Sequence, residues 1–490
     1  MIRALLQCGI RTDTRDLYRR TALFVSVALG SENFDTTQVL LEHGADVDVQ
    51  DRKGCSILGI AAERGDVEVM HLLLEHTANV DTKSLATHNY TPLHYASWAG
   101  HTAVMASLLE CGAQVDARAS CQESPLHLAV MSSKLSAVQM LLQRHATVNA
   151  RSDSGETPLH LAARSSKEHE DLLVLLLQAG AEVRAVSSAG DTPLDLAFAS
   201  RNTLAVRVLV THGSGIDVKT TEQDYTLLHW ASCLRDTQLV QVLLDHGADV
   251  LQQDVVQDKR TPLHMVVIGL KSMSKIQGES ASSDETEQTI ELLLDRGADV
   301  NAKDIFSKTA LHYAIDKGHC SIAKQLLHCG ADLNSEDDSG VTLLCNAIRI
   351  GDRSLVESLR SHGAELDVHY RYARGATPLH YAVKNGDWGM VRILLERGAD
   401  VRVSDHEGKT PLHFASERVD DLEHLVEYGA DVAAEDFSGQ TPTCYILPGC
   451  ARTLAEQLIQ NTILPQLLLP RTYGGVPGAP RISVRKLYTN

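Results

Sequence analysis

Apolar residues along this chain come in short paired bursts at helical spacing, each pair closed by glycine and followed by a polar turn. Between Thr91 and Asp116, Leu93, Ala96 and Ala99 share one face of a first short helix, Gly100-His101 interrupts, and a second helix runs from Ala103 to Glu110. Pro92 suits the first helical turn, where its missing N–H would have no partner, and Thr91 can cap. Gly100 and Gly112 end the two helices in a left-handed conformation. Small Ala96 and Ala99 let neighbouring helices approach, while Leu108 and Leu109 bury against the next pair, each worth about 2 kcal/mol.

The same burst recurs along the chain. Thr-Pro-Leu-His stands at Thr91 to His94, Thr157 to His160, Thr261 to His264, Thr377 to His380 and Thr410 to His413, with degenerate copies beginning at Thr21, Ser56, Ser124, Thr192, Thr226, Thr309, Thr342 and Thr441. Starts lie roughly 33 to 35 residues apart, the period of a helical solenoid in which each unit packs only on its neighbours. Length alone would suggest about three globular domains; the period replaces them with about thirteen copies of one unit, spanning residues 1–450. The opening Met1 to Gly9 reads as the second helix of a unit and not as a signal peptide.

Aromatic content of 4% is low, and Leu, Val and Ala supply most of the 43% apolar fraction, as thin helix pairs require. A formal charge of -18 argues against general affinity for nucleic acid or acidic membranes. The ten cysteines include no Cys-x-x-Cys pair, and Cys8, Cys111 and Cys329 share one position before a helix-ending glycine. A reduced intracellular chain, cytoplasmic or also nuclear, follows from that register. No apolar run approaches the roughly 18 residues of a membrane span.

The recurring order Asp-x-x-Gly-x-Thr-Pro-Leu-His-x-Ala, Gly-His, Leu-Leu and Gly-Ala-Asp-Val resembles the ankyrin repeat, as in Gly398 to Val401 followed by Asp405 to His413. The resemblance implies an all-α solenoid of about twelve to thirteen repeats. In that family each unit is two antiparallel helices with a short projecting β-hairpin finger, and fingers and first helices line a concave binding face. It also implies a monomeric, non-catalytic scaffold for protein partners, with no cofactor. Its repeated histidine, here His94, His127, His160, His229, His264, His312, His380 and His413, hydrogen-bonds within and between loops. That role, and six more histidines at second-helix ends, explain most of the 23 without a metal. No Gly-x-Ser-x-Gly, His-Glu-x-x-His or phosphate-cradling loop points to catalysis.

Function in a solenoid lies in what varies at exposed positions. The residue two after the repeated first-helix alanine reads Glu63, Trp98, Met131, Arg164, Ala199, Cys233, Asp316, Arg349, Lys384 and Glu417, a row expected along the concave wall. Trp98 beside Met131 is a candidate hydrophobic anchor. The finger His369-Tyr370-Arg371-Tyr372-Ala373-Arg374, with Arg349 and Lys384, interleaves basic and aromatic residues and suits an acidic or phosphorylated peptide; RNA is the weaker reading. Phe306 and Phe437 occupy other fingertips. Asn149, Asn301 and Asn334, each eight residues after a leucine, resemble substrates of an asparaginyl hydroxylase, although a turn role accounts for them as well.

The stretch 271–288 interrupts one unit with serines and acids and is expected to be disordered, with Ser282 a candidate phosphorylation site. Residues 451–490 form a non-repeat tail. Ile446, Cys450 and Leu454 match the spacing of a suppressor-of-cytokine-signalling box, which would make the chain a cullin ligase adaptor. Pro448 and Gly449 oppose that helix by about 4 kcal/mol. A latrotoxin-like, membrane-acting protein is a third class.

Overall fold

The computed structural model describes residues 11–85, 88–165, 170–216, 225–254, 258–269, 283–338, 342–364, 375–415 and 424–445, with Arg3 and Gly9. The chain divides into two compact units, Met1–Asp299 and Val300–Asn490. In the first, helix pairs follow one another: α1 (Ala22–Leu29) and α2 (Phe34–Glu42), α3 (Ile57–Arg64) and α4 (Val67–Glu75), α5 (Pro92–Ala99) and α6 (Thr102–Glu110), α7 (Pro125–Met131) and α8 (Leu135–Gln143). They continue with α9 (Pro158–Arg164) and α10 (Glu170–Gln178), α11 (Pro193–Ala199) and α12 (Thr203–Thr211), α13 (Leu227–Leu234) and α14 (Thr237–Asp245), α15 (Pro262–Ile268) and α16 (Ser283–Asp295). The second unit holds α17 (Ala310–Asp316) and α18 (Cys320–His328), α19 (Leu343–Ile350) and α20 (Arg353–Ser361), α21 (Pro378–Lys384) and α22 (Trp388–Glu396), a 3-10 turn Pro411–Phe414, and α23 (Pro442–Tyr445).

Within each unit, first helices pack on first helices and second on second, and the core is the layer between them. Ala61, Ala96, Ala129, Ala197 and Ala231 are fully buried where first helices meet, as are Leu93, Leu126 and Leu159. Gly65, Gly100 and Gly351 terminate their helices in the left-handed region.

The repeated histidine links successive units. The Thr91 N–H donates to His94 Nδ1 at 3.1 Å, so the proton sits on Nε2, which donates to the Glu123 carbonyl of the next repeat at 3.2 Å. His127 repeats this between Ser124 and Glu156, His160 between Thr157 and Asp191, His380 between Thr377 and Lys409, and His413 between Thr410 and Gln440. Fingers are reduced to isolated bridges, Gln50 with Ser56, Ser84 with Tyr90 and Glu336 with Thr342, and no longer strand forms among the described residues. Their tips are chained instead by backbone hydrogen bonds, such as Asp153 N–H to the Cys121 carbonyl and Ser188 N–H to Ser154.

Some repeats depart from this scheme: Phe24, Gly59, Cys345 and Cys444 stand at the histidine position, and Asp195 does so with a side chain that makes hydrogen bonds of its own. Asp195 stands where the histidine belongs and accepts from Thr192 N–H and hydroxyl at 2.7 and 2.6 Å. An ionised carboxylate has no proton to give the next repeat. At the same place Phe198 of α11 and Trp230 of α13 meet edge to face with centroids 5.1 Å apart, and these two helices make the sparsest contact of any successive first helices in their unit. Replacing Asp195 by His supplies the missing donor toward the Tyr225 carbonyl. The expected outcome is a stabilisation of about 1 kcal/mol in urea unfolding; an unchanged or lower midpoint would refute the role given to this position.

The stretch expected to be disordered is corrected at its C-terminal end: residues 283–288 begin α16, whose first turn carries Asp284 and Glu285. Acidic side chains that disfavour a core favour a helix N-terminus, and Thr286 and Thr289 are buried. Residues 270–282, Ser282 among them, lie outside the described residues.

Candidate functional site

Most of the first-helix row is exposed. Glu63, Trp98, Met131, Arg164, Ala199, Arg349 and Lys384 face solvent. Cys233 does not: it is buried on α13, which packs tightly on α15, so this thiol is core. Asp316 is half-buried, and Glu417 lies outside the described residues.

Trp98 and Met131, 49% and 45% exposed, sit at the ends of successive first helices α5 and α7. The other aromatics of that repeat are consumed by packing. Tyr90 stacks on His94 with centroids 5.3 Å apart, meets Tyr95 edge to face, and donates its hydroxyl to Glu123 at 3.1 Å. Burial, and then the Glu123 charge, push the Tyr90 phenol up. Tyr95 lies against Gly59, where an added Cβ would stand 3.2 Å from its ring. Trp98 is thus left outward with Met131, flanked along the row by Glu63 and by Arg164, which pairs with Glu156 at 2.8 Å.

The basic group separates into unlike parts. Arg349 lies 3.8 Å from Asp316, which Lys308 also engages at 2.7 Å, so its charge is partly neutralised. Lys384 makes no ion pair among the described residues. Tyr370, Arg371, Tyr372 and Arg374 lie outside them, as do Ile446, Cys450, Leu454 and the tail. Phe306 and Phe437 are exposed at their fingertips.

The asparagines do bridging work between repeats. Asn149 Oδ1 accepts the Glu182 N–H at 2.8 Å while its amide donates to the Gly180 carbonyl at 3.1 Å, and Asn301 does the same with Asp332 and Gly330. Asp116 at the equivalent place accepts only, from Thr147, and Arg184 donates only, to Gly213. Asn334 donates its own N–H to Asp332.

Sequence reasoning passed over one feature, a cavity of about 190 Å³ bounded by Tyr381, Lys384, Asp405, Glu407, Lys409 and Phe414. Its only signal was phenylalanine at a position held by tyrosine in the repeats of Tyr313 and Tyr445. Among the described residues no group of three or more His, Cys, Asp or Glu is placed to hold a metal, and no helix is long and apolar enough to cross a membrane.

A family profile described as ankyrin repeats (3 copies) matches residues 23–119, 114–187, 166–254, 279–337 and 344–436. A Rickettsia felis protein described as an ankyrin repeat protein is 29% identical over 118 residues, 24% of this chain, which spans 38% of that relative's length. The Escherichia coli ankyrin repeat protein YahD is 29% identical over 210 residues, 42% of this chain and 79% of its own. The crystal structure of the human ASB11 ankyrin repeat domain aligns with 43% of this chain and 90% of its own at 26% identity, with a TM-score of 0.39. With the profile matched over more than half its length, and with histidine-linked helix pairs in both units, the chain belongs to the ankyrin repeat family.

Proposed function

We propose that the chain is a non-catalytic scaffold that holds protein partners on its first helices and fingers. The observation that carries this reading is the exposure of Trp98 and Met131 on adjacent helices, in a repeat whose other aromatic rings are spent on packing. Half-exposed aromatics beside a flexible thioether are the stuff of interface hot spots. Arg349 and Lys384, with the basic and aromatic residues 370–374 of the sequence, are the candidates for a second site suited to an acidic or phosphorylated segment, and Lys384 makes no ion pair among the described residues. The described cysteines form no disulfide, which suits a reducing compartment, cytoplasm or nucleus.

Affinity capture compares the wild type with Trp98→Ala plus Met131→Ala, and with Leu251→Ala as an exposed apolar control. Partners are expected to be lost, with affinity reduced about a hundredfold, only in the double variant, whose circular dichroism stays unchanged. Equal retention on all three proteins would reject this surface.

A further inference from the structure

Three repeats of the second unit place an aspartate at the finger base and an aromatic residue nine positions later. In two of them the pair is closed. Tyr313 donates its hydroxyl to Asp304 Oδ2 at 2.6 Å, and Tyr445 donates to Asp436 Oδ2 at 2.6 Å. The third pair is Asp405 and Phe414, and no hydroxyl is there to give. Asp405 Oδ1 accepts the N–H groups of Glu407 and Lys409, both at 2.8 Å, while Oδ2 has no donor among the described residues. The side chain is nevertheless buried, with 5% of the residue exposed, and it lines the cavity together with Phe414.

The neighbouring cations do not fill the gap. Lys409 bonds Glu407 at 3.0 Å and lies 4.9 Å from the Tyr445 ring centroid, on the side of the following repeat. Lys384 forms no ion pair among the described residues and is exposed. A carboxylate oxygen that has no donor among the described residues, on a side chain lining the cavity, is best complemented by a charged N–H group, whose cation the Tyr381 and Phe414 rings also favour. The net charge of -18 draws basic segments to the chain.

We propose that this cavity receives a lysine or arginine side chain of a protein partner, which donates to Asp405 Oδ2 while an acidic residue of the same segment meets Lys384. The proposal rests on the scaffold reading above and gives the partner its chemistry: a basic residue followed by an acidic one.

The test titrates the full chain with the capped dipeptide N-acetyl-Lys-Glu-amide, read by saturation-transfer NMR, against the same peptide with norleucine in place of lysine. Saturable binding of the lysine peptide is expected, with the norleucine peptide about tenfold weaker or worse. Phe414→Tyr, which closes Asp405 as in the sister repeats, is expected to weaken the lysine peptide by a similar factor without lowering the thermal midpoint. Trp98→Ala plus Met131→Ala is expected to leave it unchanged. Absence of binding, equal binding of the norleucine peptide, or undiminished binding to Phe414→Tyr would each overturn the proposal. So would equal binding of a Glu-Glu peptide that is lost on Lys384→Ala, which marks an anion site. Failure here with partner capture still dependent on Trp98 removes the socket and leaves the scaffold standing.

Discussion

Acidification from pH 7.5 toward 5 is expected to lower the unfolding midpoint steeply, before the carboxylates titrate. His94, His127 and His312 are held at about 4 chiefly by burial, and His160 and His229 are lowered for the same first reason. An unfolded histidine titrates near 6.5, so below that pH the unfolded chain binds protons that the folded chain refuses. Their stabilising contribution is complete above about 7, falls between 6.5 and 4, and is exhausted once the folded rings also protonate. Each of the three most shifted rings accounts for up to about 3 kcal/mol across that window. Thermal midpoints by circular dichroism at half-unit pH steps check this, and a flat profile between pH 7 and 5 would contradict it.

Replacing His127 by alanine is expected to cost about 3 kcal/mol at neutral pH. The ring is fully buried and joins the Ser124 N–H to the Glu156 carbonyl, so its removal strands one donor and one acceptor and leaves a ring-sized void. Urea unfolding measures the loss, and the same variant should show a shallower acid transition because one titrating ring is gone. A loss below about 1 kcal/mol would mean that the histidine bridges contribute little.

The period was legible because every unit repeats the same capping and packing problem, and the histidines could be assigned before any coordinate because eight share one place. The row of variable residues was legible in outline. Cys233 was misplaced because burial on a first helix depends on how closely its neighbours pack, as α13 and α15 do, and sequence offset carries no distance. Arg349 could not be seen as partly neutralised, since Asp316 lies one repeat earlier and Lys308 shares it. The cavity at Asp405 was hidden for a different reason. Its cause is a hydroxyl that Phe414 lacks, visible only once the tyrosine contacts in the sister repeats are known.

A linear array of like modules behaves as a chain of nearest-neighbour couplings, and it melts in blocks whose borders fall at the weakest coupling. In the Met1–Asp299 unit the repeats of Phe24, Gly59 and Asp195 have no histidine to bridge to the next repeat, so such borders are expected among them. The presence or absence of one donating ring per repeat thus bears on how far a thermal fluctuation begun at one end can travel.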